Sequence, residues 1–493
     1  VKQKLFGSSL LALTLLASAS AGGAGQPARP IVVPSAPAQP GVHAAPNAAK
    51  PVSSGYSMRV VSTGFEMPWE ISTGPDGWLW VTERLGKRVV RVNPQTGTKQ
   101  VAVNIPEALA GGQHLGVLGM ALHPDLLRGV GRDWVYVTYT YGSDADEKLV
   151  HKRIVRYTFD KAAGKLTQPT TVIENLPGGL DHNGGRLKFG PDGKLYLSFG
   201  ELGHNQLAHV CKPIRAQEMP SAADIAAGNY DLYVGKTLRL NVDGSIPTDN
   251  PSFDGVRSHI YTVGHRNTQG LAFGQNGLLY SSEQGPNTDD EINILAGGKN
   301  YGWPHIAGYQ DDQAYAYANW SAAPNCETLE FNYSNPPAEV PVVKESEYDG
   351  ADYTDPLMTF WTRPKTHDFS DVACEGWTGY LCNPTTAPSS IDIYEKSFAG
   401  IPHLQNSLLM TSLKDGAVYQ IPLSPSGQNA RGQAVPLPGV TTVNRYRDLA
   451  FSPDQRTIYV ATDSSGSMLM PNGQPSKALA NPGAILAFTY TGN

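Results

Sequence analysis

The chain has 493 residues, a formal net charge of -6 and only 17% charged residues. That balance excludes the basic footprint of a nucleic-acid binder, so no nucleic-acid partner is expected. The length suits either two or three average domains or one repetitive β architecture.

In chain order, VKQKLFGSSLLALTLLASASAGG carries two lysines, an apolar run from Leu10 to Leu16 and small residues in Ala-x-Ala spacing. This is the anatomy of a secretory signal over residues 1–21, which predicts a periplasmic or secreted protein. The run is far short of the ~20 residues that span a bilayer, and no later segment is long and apolar enough. Residues 22–56 are rich in Ala, Pro and Gly, the composition of a linker. The folded domain is expected over residues 57–493.

Within that domain one phrase recurs, as GPDGWLWVTE at 74, HPDLLRGVGRDWVYVTYT at 123, GPDGKLYLSFG at 190, GQNGLLYSSEQG at 274, NSLLMTSLKDGAVYQI at 406 and SPDQRTIYVATD at 452. In most copies a Pro-Asp or Asn-Gly turn leads into an alternating strand, which signals a hairpin. No long amphipathic helix intervenes. The pattern predicts an all-β fold, a six-bladed β-propeller with long inserted loops. A pair of β-sandwiches is the alternative, but would not need the phrase six times.

Asp181-His182, in LDHNGGRLKFG, lies just before a repeat strand and so on a rim loop. An imidazole can take a proton at neutral pH while a carboxylate orients it; an incidental loop pair is the bland alternative. VGHRNTQG gathers Arg266 and Asn267, and further on come Lys414, Arg445 and Arg447. Cations converging on one propeller axis in an acidic chain imply an anionic ligand, although no phosphate loop is present.

The stretch 283–312 is dense in hard oxygens, including Asp289, Asp290, Glu291 and Asp311, and could hold calcium without an EF-hand or be a solvated acidic loop. His204, His209 and Cys211 lack a fourth obvious zinc ligand. Cys374 with Cys382 and Cys211 with Cys326 are candidate disulfides, with four free thiols as the alternative. GxSxG and HExxH are absent, which removes the common serine-hydrolase and zinc-protease readings.

Taken together, LDHNGGRL, GELGHNQLA, HIYTVGHRNTQGLAFGQNG, SEQGPNTDDEIN, NYGWPHIAGYQDD, AYAYANWSAAP, VVKESEY, PTTAPSS and NRYRD resemble the soluble quinoprotein glucose dehydrogenases, in order, from about residue 57 to the C-terminus. The resemblance implies a calcium-dependent homodimeric propeller that uses pyrroloquinoline quinone, oxidises aldoses to lactones and passes electrons to an external acceptor.

It also implies roles residue by residue. His182 becomes the general base, with Asp181 holding its ring and Arg266 polarising the quinone. Gln113, Gln206 and Tyr380 become sugar contacts. Asn267, Thr385, Lys414, Arg445 and Arg447 hold the tricarboxylate cofactor. The carbonyls of Gly285 and Pro286 ligate the cofactor's calcium, and Asp290, Glu291, Tyr301, Ala307, Tyr309, Asp311 and Glu345 hold further calcium near the dimer contact. The chain departs from the family pattern at Glu201, where the family has Asp, at Thr268, where it has Pro, and at Asn383, where it has Trp.

Three rival readings stand beside this one: a broad-specificity aldose sugar dehydrogenase, a calcium-dependent propeller lactonase and a non-catalytic binding propeller.

Overall fold

The computed structural model describes residues 55–112, 114–350, 352–369, 380–395 and 400–492. Six four-stranded antiparallel sheets form the blades of a propeller. Blade 1 is Pro68–Thr73, Leu79–Glu83, Arg88–Val92 and Lys99–Asn104, and blade 2 is Val117–Leu122, Trp134–Gly142, Val150–Asp160 and Lys165–Pro177. Blade 3 is Leu187–Phe189, Leu195–Phe199, Lys236–Leu240 and Ile260–Val263, and blade 4 is Thr268–Phe273, Leu279–Glu283, Asp290–Leu295 and Met358–Phe360. Blade 5 is Pro388–Tyr394, Ser407–Ser412, Val418–Pro422 and Val435–Pro436. Blade 6 takes Tyr446–Phe451, Thr457–Thr462 and Ile485–Tyr490 from the C-terminal end and Tyr56–Ser62 from the other, with Tyr56 opposite Tyr490.

Each repeated phrase forms the second strand of its blade. The turn before it recurs in chemistry as well as in sequence. Asp76, Asp192, Asn276 and Asp454 each accept, through the side chain, the backbone N–H two residues on. The residue between adopts a positive φ, 76° at Gly77, 72° at Gly193, 81° at Gly277 and 57° at Gln455, a conformation glycine reaches without steric cost.

Apolar clusters lie between blades rather than within them, as a propeller requires. Trp80 and Val89 meet Val117 and Val135 between blades 1 and 2, and Tyr136 and Ile154 meet Leu187 and Leu197 between blades 2 and 3. Equivalent clusters join every other neighbouring pair, including blade 6 to blade 1.

The axis is closed by charge. Arg186, fully buried, donates to Asp448 of blade 6 at 2.8 Å, to Glu70 of blade 1, to the carbonyl of Ser389 of blade 5 at 3.0 Å and to that of Gln269 of blade 4 at 3.0 Å. Its guanidinium also lies 4.2 Å from the Trp69 ring centroid. One side chain thus ties blade 3 to four others.

Strand alternation sends the loop after each second strand and the loop before each first strand to the same rim. Residues 200–235, the loop after the second strand of blade 3, lie there; residues 296–357 follow the third strand of blade 4 and so start at the opposite rim, but run back along blade 3 until the Trp303 N–H donates to the Gly264 carbonyl at 3.1 Å. The expected Cys211–Cys326 disulfide joins the two segments. Because Cys211 is in that bond, the zinc alternative with His204 and His209 is excluded. Cys382 is also disulfide-bonded; its expected partner Cys374, like Gln113, lies outside the described residues.

Candidate active site

Around the mouth of the axis, polar side chains follow one another from blade to blade. His182 stands on the loop entering blade 3, buried and in a left-handed backbone conformation with φ 39°. Gly200, at the end of the second strand of the same blade, makes room for it: a Cβ there would sit 1.9 Å from the His182 carbonyl oxygen.

The carboxylate that orients the ring is not Asp181. Nδ1 of His182 meets Oε1 of Glu201 at 2.6 Å, and Glu201 is buried. Asp181 instead accepts the His182 backbone N–H at 2.9 Å and Nε2 of His114 at 3.0 Å, and its Oδ1 lies 3.9 Å from Nε2 of His182. The expectation that Asp181 holds the imidazole fails because its short side chain, attached to the neighbouring residue, folds back on the backbone. Glu201, noted only as a departure from the family pattern, reaches the ring from across the hairpin. With a carboxylate on Nδ1, that nitrogen carries the proton and Nε2 is left as an acceptor.

Burial opposes ionisation of Asp181, but the imidazoles of His182 and His114 outweigh it and hold the carboxyl well below the usual range. Burial pushes the His114 imidazole down, against the pull of Asp181.

Next in the circuit, Arg266 lies between Gln206, whose Oε1 accepts from Nη2 at 2.9 Å, and the Gln284 carbonyl at 3.0 Å. Its Nε is buried without a partner, and the Trp303 ring centroid is 5.5 Å away. Asn267 is fully buried and bonds to Gln284 and Gln269. Gln284 then reaches the Pro388 carbonyl of blade 5 at 3.0 Å.

In blade 5, Lys414 donates to Thr385 Oγ1 at 2.8 Å and to the carbonyl of Asn383. Burial pushes its ammonium down to about 7, against Asp290 and Asp415. In blade 6, Arg447 grips Asp463 through two bonds of 2.9 Å, and Arg445 shares the same carboxylate at 3.2 Å. Arg84 of blade 1 feels both Arg447 and Asp463, and burial lowers it to about 10; it also acts on His114, which closes the circuit. Tyr380, 47% exposed, stands three residues before Asn383 in the chain.

The structure therefore brings together His182, Asp181, Gln206, Arg266, Asn267, Thr385, Lys414, Arg445 and Arg447. Sequence reasoning missed Arg84, His114 and Asp463 and gave Glu201 no role. Arg84, Glu201, Gln284, Lys414 and Asp463 all lie one or two residues past the end of a second strand, so the six phrases laid in register carried the signal.

The candidate calcium residues divide. Glu291, Asp311 and Glu345 converge with Asp289 around Ala307–Tyr309: the N–H of Gly308 donates to Glu291 at 2.7 Å, and that of Ala307 to Glu345 at 3.0 Å. Burial, aided by the neighbouring carboxylates, pushes Asp289 up to about 7 and Glu345 up to about 8, and raises Glu291 and Asp311. Asp289, Glu291 and Glu345 are buried and discourage one another's charge, whereas Asp311 is exposed. Among the described residues no three His, Cys, Asp or Glu side chains form a ready metal cluster.

Asp290 does not join them as a ligand. Its oxygens already accept from Gly285 N–H at 2.9 Å, Thr386 N–H at 2.6 Å and Ala387 N–H at 2.8 Å, so it braces blade 4 against blade 5. The Tyr301 hydroxyl donates to the Ile294 carbonyl at 2.6 Å, and the Pro286 carbonyl accepts from Tyr333.

A model of the glucose / sorbosone dehydrogenase family matches residues 65–352. The chain is 43% identical over 449 residues to quinoprotein glucose dehydrogenase B of Acinetobacter calcoaceticus, covering 90% of this chain and 92% of that protein. The solved PQQ-bound aldose sugar dehydrogenase of Streptomyces coelicolor superposes with a TM-score of 0.58 at 27% identity, covering 88% of this chain and 98% of that one. The apo-form aldose sugar dehydrogenase of Escherichia coli, at 23% identity and a TM-score of 0.60 over 88% of this chain and 99% of that one, shares the fold.

Proposed function

The chain belongs to the glucose / sorbosone dehydrogenase family, and from that premise we propose that it is an exported aldose 1-dehydrogenase that uses pyrroloquinoline quinone and calcium, with glucose its substrate among aldoses bearing a free anomeric hydroxyl. The observation that carries the reading is His182: Nδ1 fixed at 2.6 Å by a buried carboxylate, Nε2 available, inside a circuit of Arg84, Arg266, Lys414, Arg445 and Arg447.

When bound, pyrroloquinoline quinone would supply the electron-poor hydride acceptor and calcium would supply Lewis acidity. The protein's own part is proton transfer and grip. Nε2 of His182 takes the proton of the anomeric hydroxyl as C1 becomes the lactone carbonyl, and Glu201 stabilises the imidazolium so formed. Arg266, with its unpartnered Nε, and Lys414 with Thr385 offer donors to a multiply charged anion. Arg447 and Arg445 are braced by Asp463, which fixes their reach. On this reading sugar contact falls to Gln206, which accepts from Arg266, and to the exposed Tyr380, while Asn383 offers no aromatic face for a sugar ring.

An external acceptor would complete the cycle, and a homodimer would place the acidic cluster near its contact. Export is supported by the Cys211–Cys326 disulfide, which suits an oxidising compartment. The lactonase reading needs a carboxylate-ringed calcium on the axis; here Arg186 fills that place.

The test is to strip the protein, add calcium with the quinone and follow dye reduction by a panel of aldoses. Turnover with glucose or another aldose, cut about 100-fold or more in His182→Ala, is expected. Lactone hydrolysis that needs calcium but no quinone would replace this reading with the lactonase, and sugar binding without dye reduction would replace it with a binding propeller.

A further inference from the structure

Asp181 lies between two imidazoles. Its Oδ1 is 3.0 Å from Nε2 of His114 and 3.9 Å from Nε2 of His182. The rings of the two histidines stand edge to face with centroids 5.9 Å apart. Asn183, next to His182, donates to the His114 carbonyl at 3.2 Å, so the two loops are also joined through the backbone. Burial keeps His114 neutral at pH 7, and its Nε2–H therefore donates to the carboxylate.

This contact matters because of what Asp181 would otherwise do. An ionised carboxylate cannot donate to a bare ring nitrogen. Brought onto Nε2 of His182, it would favour the protonated ring and cover the atom that must receive the substrate proton. Two bonds hold it off: the His182 backbone N–H at 2.9 Å and His114. The first allows the carboxylate to pivot; the second fixes its direction.

We propose that His114 is a positioning residue that tethers the Asp181 carboxylate away from Nε2 of His182 and so keeps the proton-accepting nitrogen bare. The proposal rests on His182 being the general base. The other charged groups around the trio are Glu201 on Nδ1 of His182, Arg84 of blade 1 beside His114, Lys152 of blade 2 beneath the Asn183 carbonyl, and Glu147, which is engaged by Lys212 and His209. None of them supplies Asp181 with an alternative tether.

The experiment measures kcat/KM against pH for the holoenzyme. In His114→Ala the acid limb moves up by about half to one pH unit, since an opposite charge released toward an imidazole favours its charged form, and the rate recovers on the alkaline side. His114→Gln, whose amide keeps a donor at similar reach, stays near the parent profile. The shift vanishes when Asp181→Asn is combined with His114→Ala, judged against Asp181→Asn alone. His114→Asn, too short to span the gap, repeats the result should the alanine variant fold poorly, and thermal melts establish that each variant is folded.

An acid limb that stays put in folded His114→Ala and His114→Asn, or one that still moves in the Asp181→Asn background, overturns the tether. His182→Ala separates the two levels. If that variant keeps the parent turnover and pH profile, the general-base reading itself has failed; if it loses turnover while the His114 variants show no shift, only the tether has.

Discussion

Nδ1 of His182 and Oε1 of Glu201 lie 2.6 Å apart, and the other oxygen of Glu201 accepts the His204 backbone N–H at 2.8 Å. The carboxylate is held at both ends, so the ring it orients is held too. Replacing it with the isosteric amide keeps the shape, removes the charge that favours an imidazolium and permits the wrong tautomer. Glu201→Gln is expected to lower kcat by about 100-fold or more, with Glu201→Asp recovering only part because its oxygen falls short. Steady-state dye reduction with saturating quinone checks this; an unchanged kcat would remove Glu201 from the mechanism.

The acidic cluster gives the cation-free protein a pH dependence whose sign is fixed. Asp289 is pushed up to about 7 and Glu345 up to about 8 in the folded chain, by burial first, whereas unfolded carboxyls titrate near ~4. Between those values the folded state binds more protons than the unfolded, so stability falls as pH rises through that window. Calcium would neutralise the charges that cause the loss. Chelated protein should therefore melt lower at pH 8 than at pH 5.5, and added calcium should raise the melting temperature far more at pH 8. An equal effect at both would show that these carboxylates are not where calcium acts.

Arg186, fully buried, lies between Glu70 and Asp448. Removing one partner of such a buried set leaves the others charged and uncompensated, at a cost of about 3 to 5 kcal/mol. Arg186→Met should lose stability on that scale in urea denaturation. Arg186→Lys should recover little, since a single ammonium cannot reproduce a fork that reaches four blades. A loss below ~1 kcal/mol would mean that the axis is held mainly by the apolar interfaces between blades.

The disulfide between Cys211 and Cys326 spans 115 residues, and in the chain-entropy model a loop of that order stabilises by about 4 to 5 kcal/mol. Reduction, or Cys211→Ser with Cys326→Ser, should lower the melting temperature. The insertions it joins carry Gln206 and Trp303, both against Arg266, so cofactor affinity measured by titration of the apo protein should fall as well. A lower melting temperature with affinity unchanged would confine the bond to a role in stability.

The scaffold was legible in the chain because its turns are local chemistry. An Asp or Asn side chain bonding two residues ahead, followed by a residue with positive φ, writes the hairpin into four or five consecutive letters, as at Asp192 and Gly193. His182, Arg266 and Lys414 were legible through the motifs around them. What stayed hidden was pairing across the fold. Glu201 is 19 residues from the ring it orients, Arg84 belongs to the first blade and acts beside Arg447 of the last, and no local pattern distinguishes Asp181, adjacent in sequence, from Glu201 as the partner. Asp290 illustrates the same limit: its place in an acidic run suggested a metal ligand, whereas the donors that fill it, from Thr386 and Ala387, arrive 96 and 97 positions later.

The strand Tyr56–Ser62 lies beside Ile485–Tyr490, so the two extremities of the ring are clasped in one ladder. A ring closed this way has a seam, and tension on either end of the chain is resisted there before any other blade feels it. The first strand of that same blade begins beside Arg445 and carries Arg447. Residues remote from His182 by chain distance therefore serve as its hoop: while the clasp holds, the circumference is fixed, and with it the spacing of every cation around the mouth.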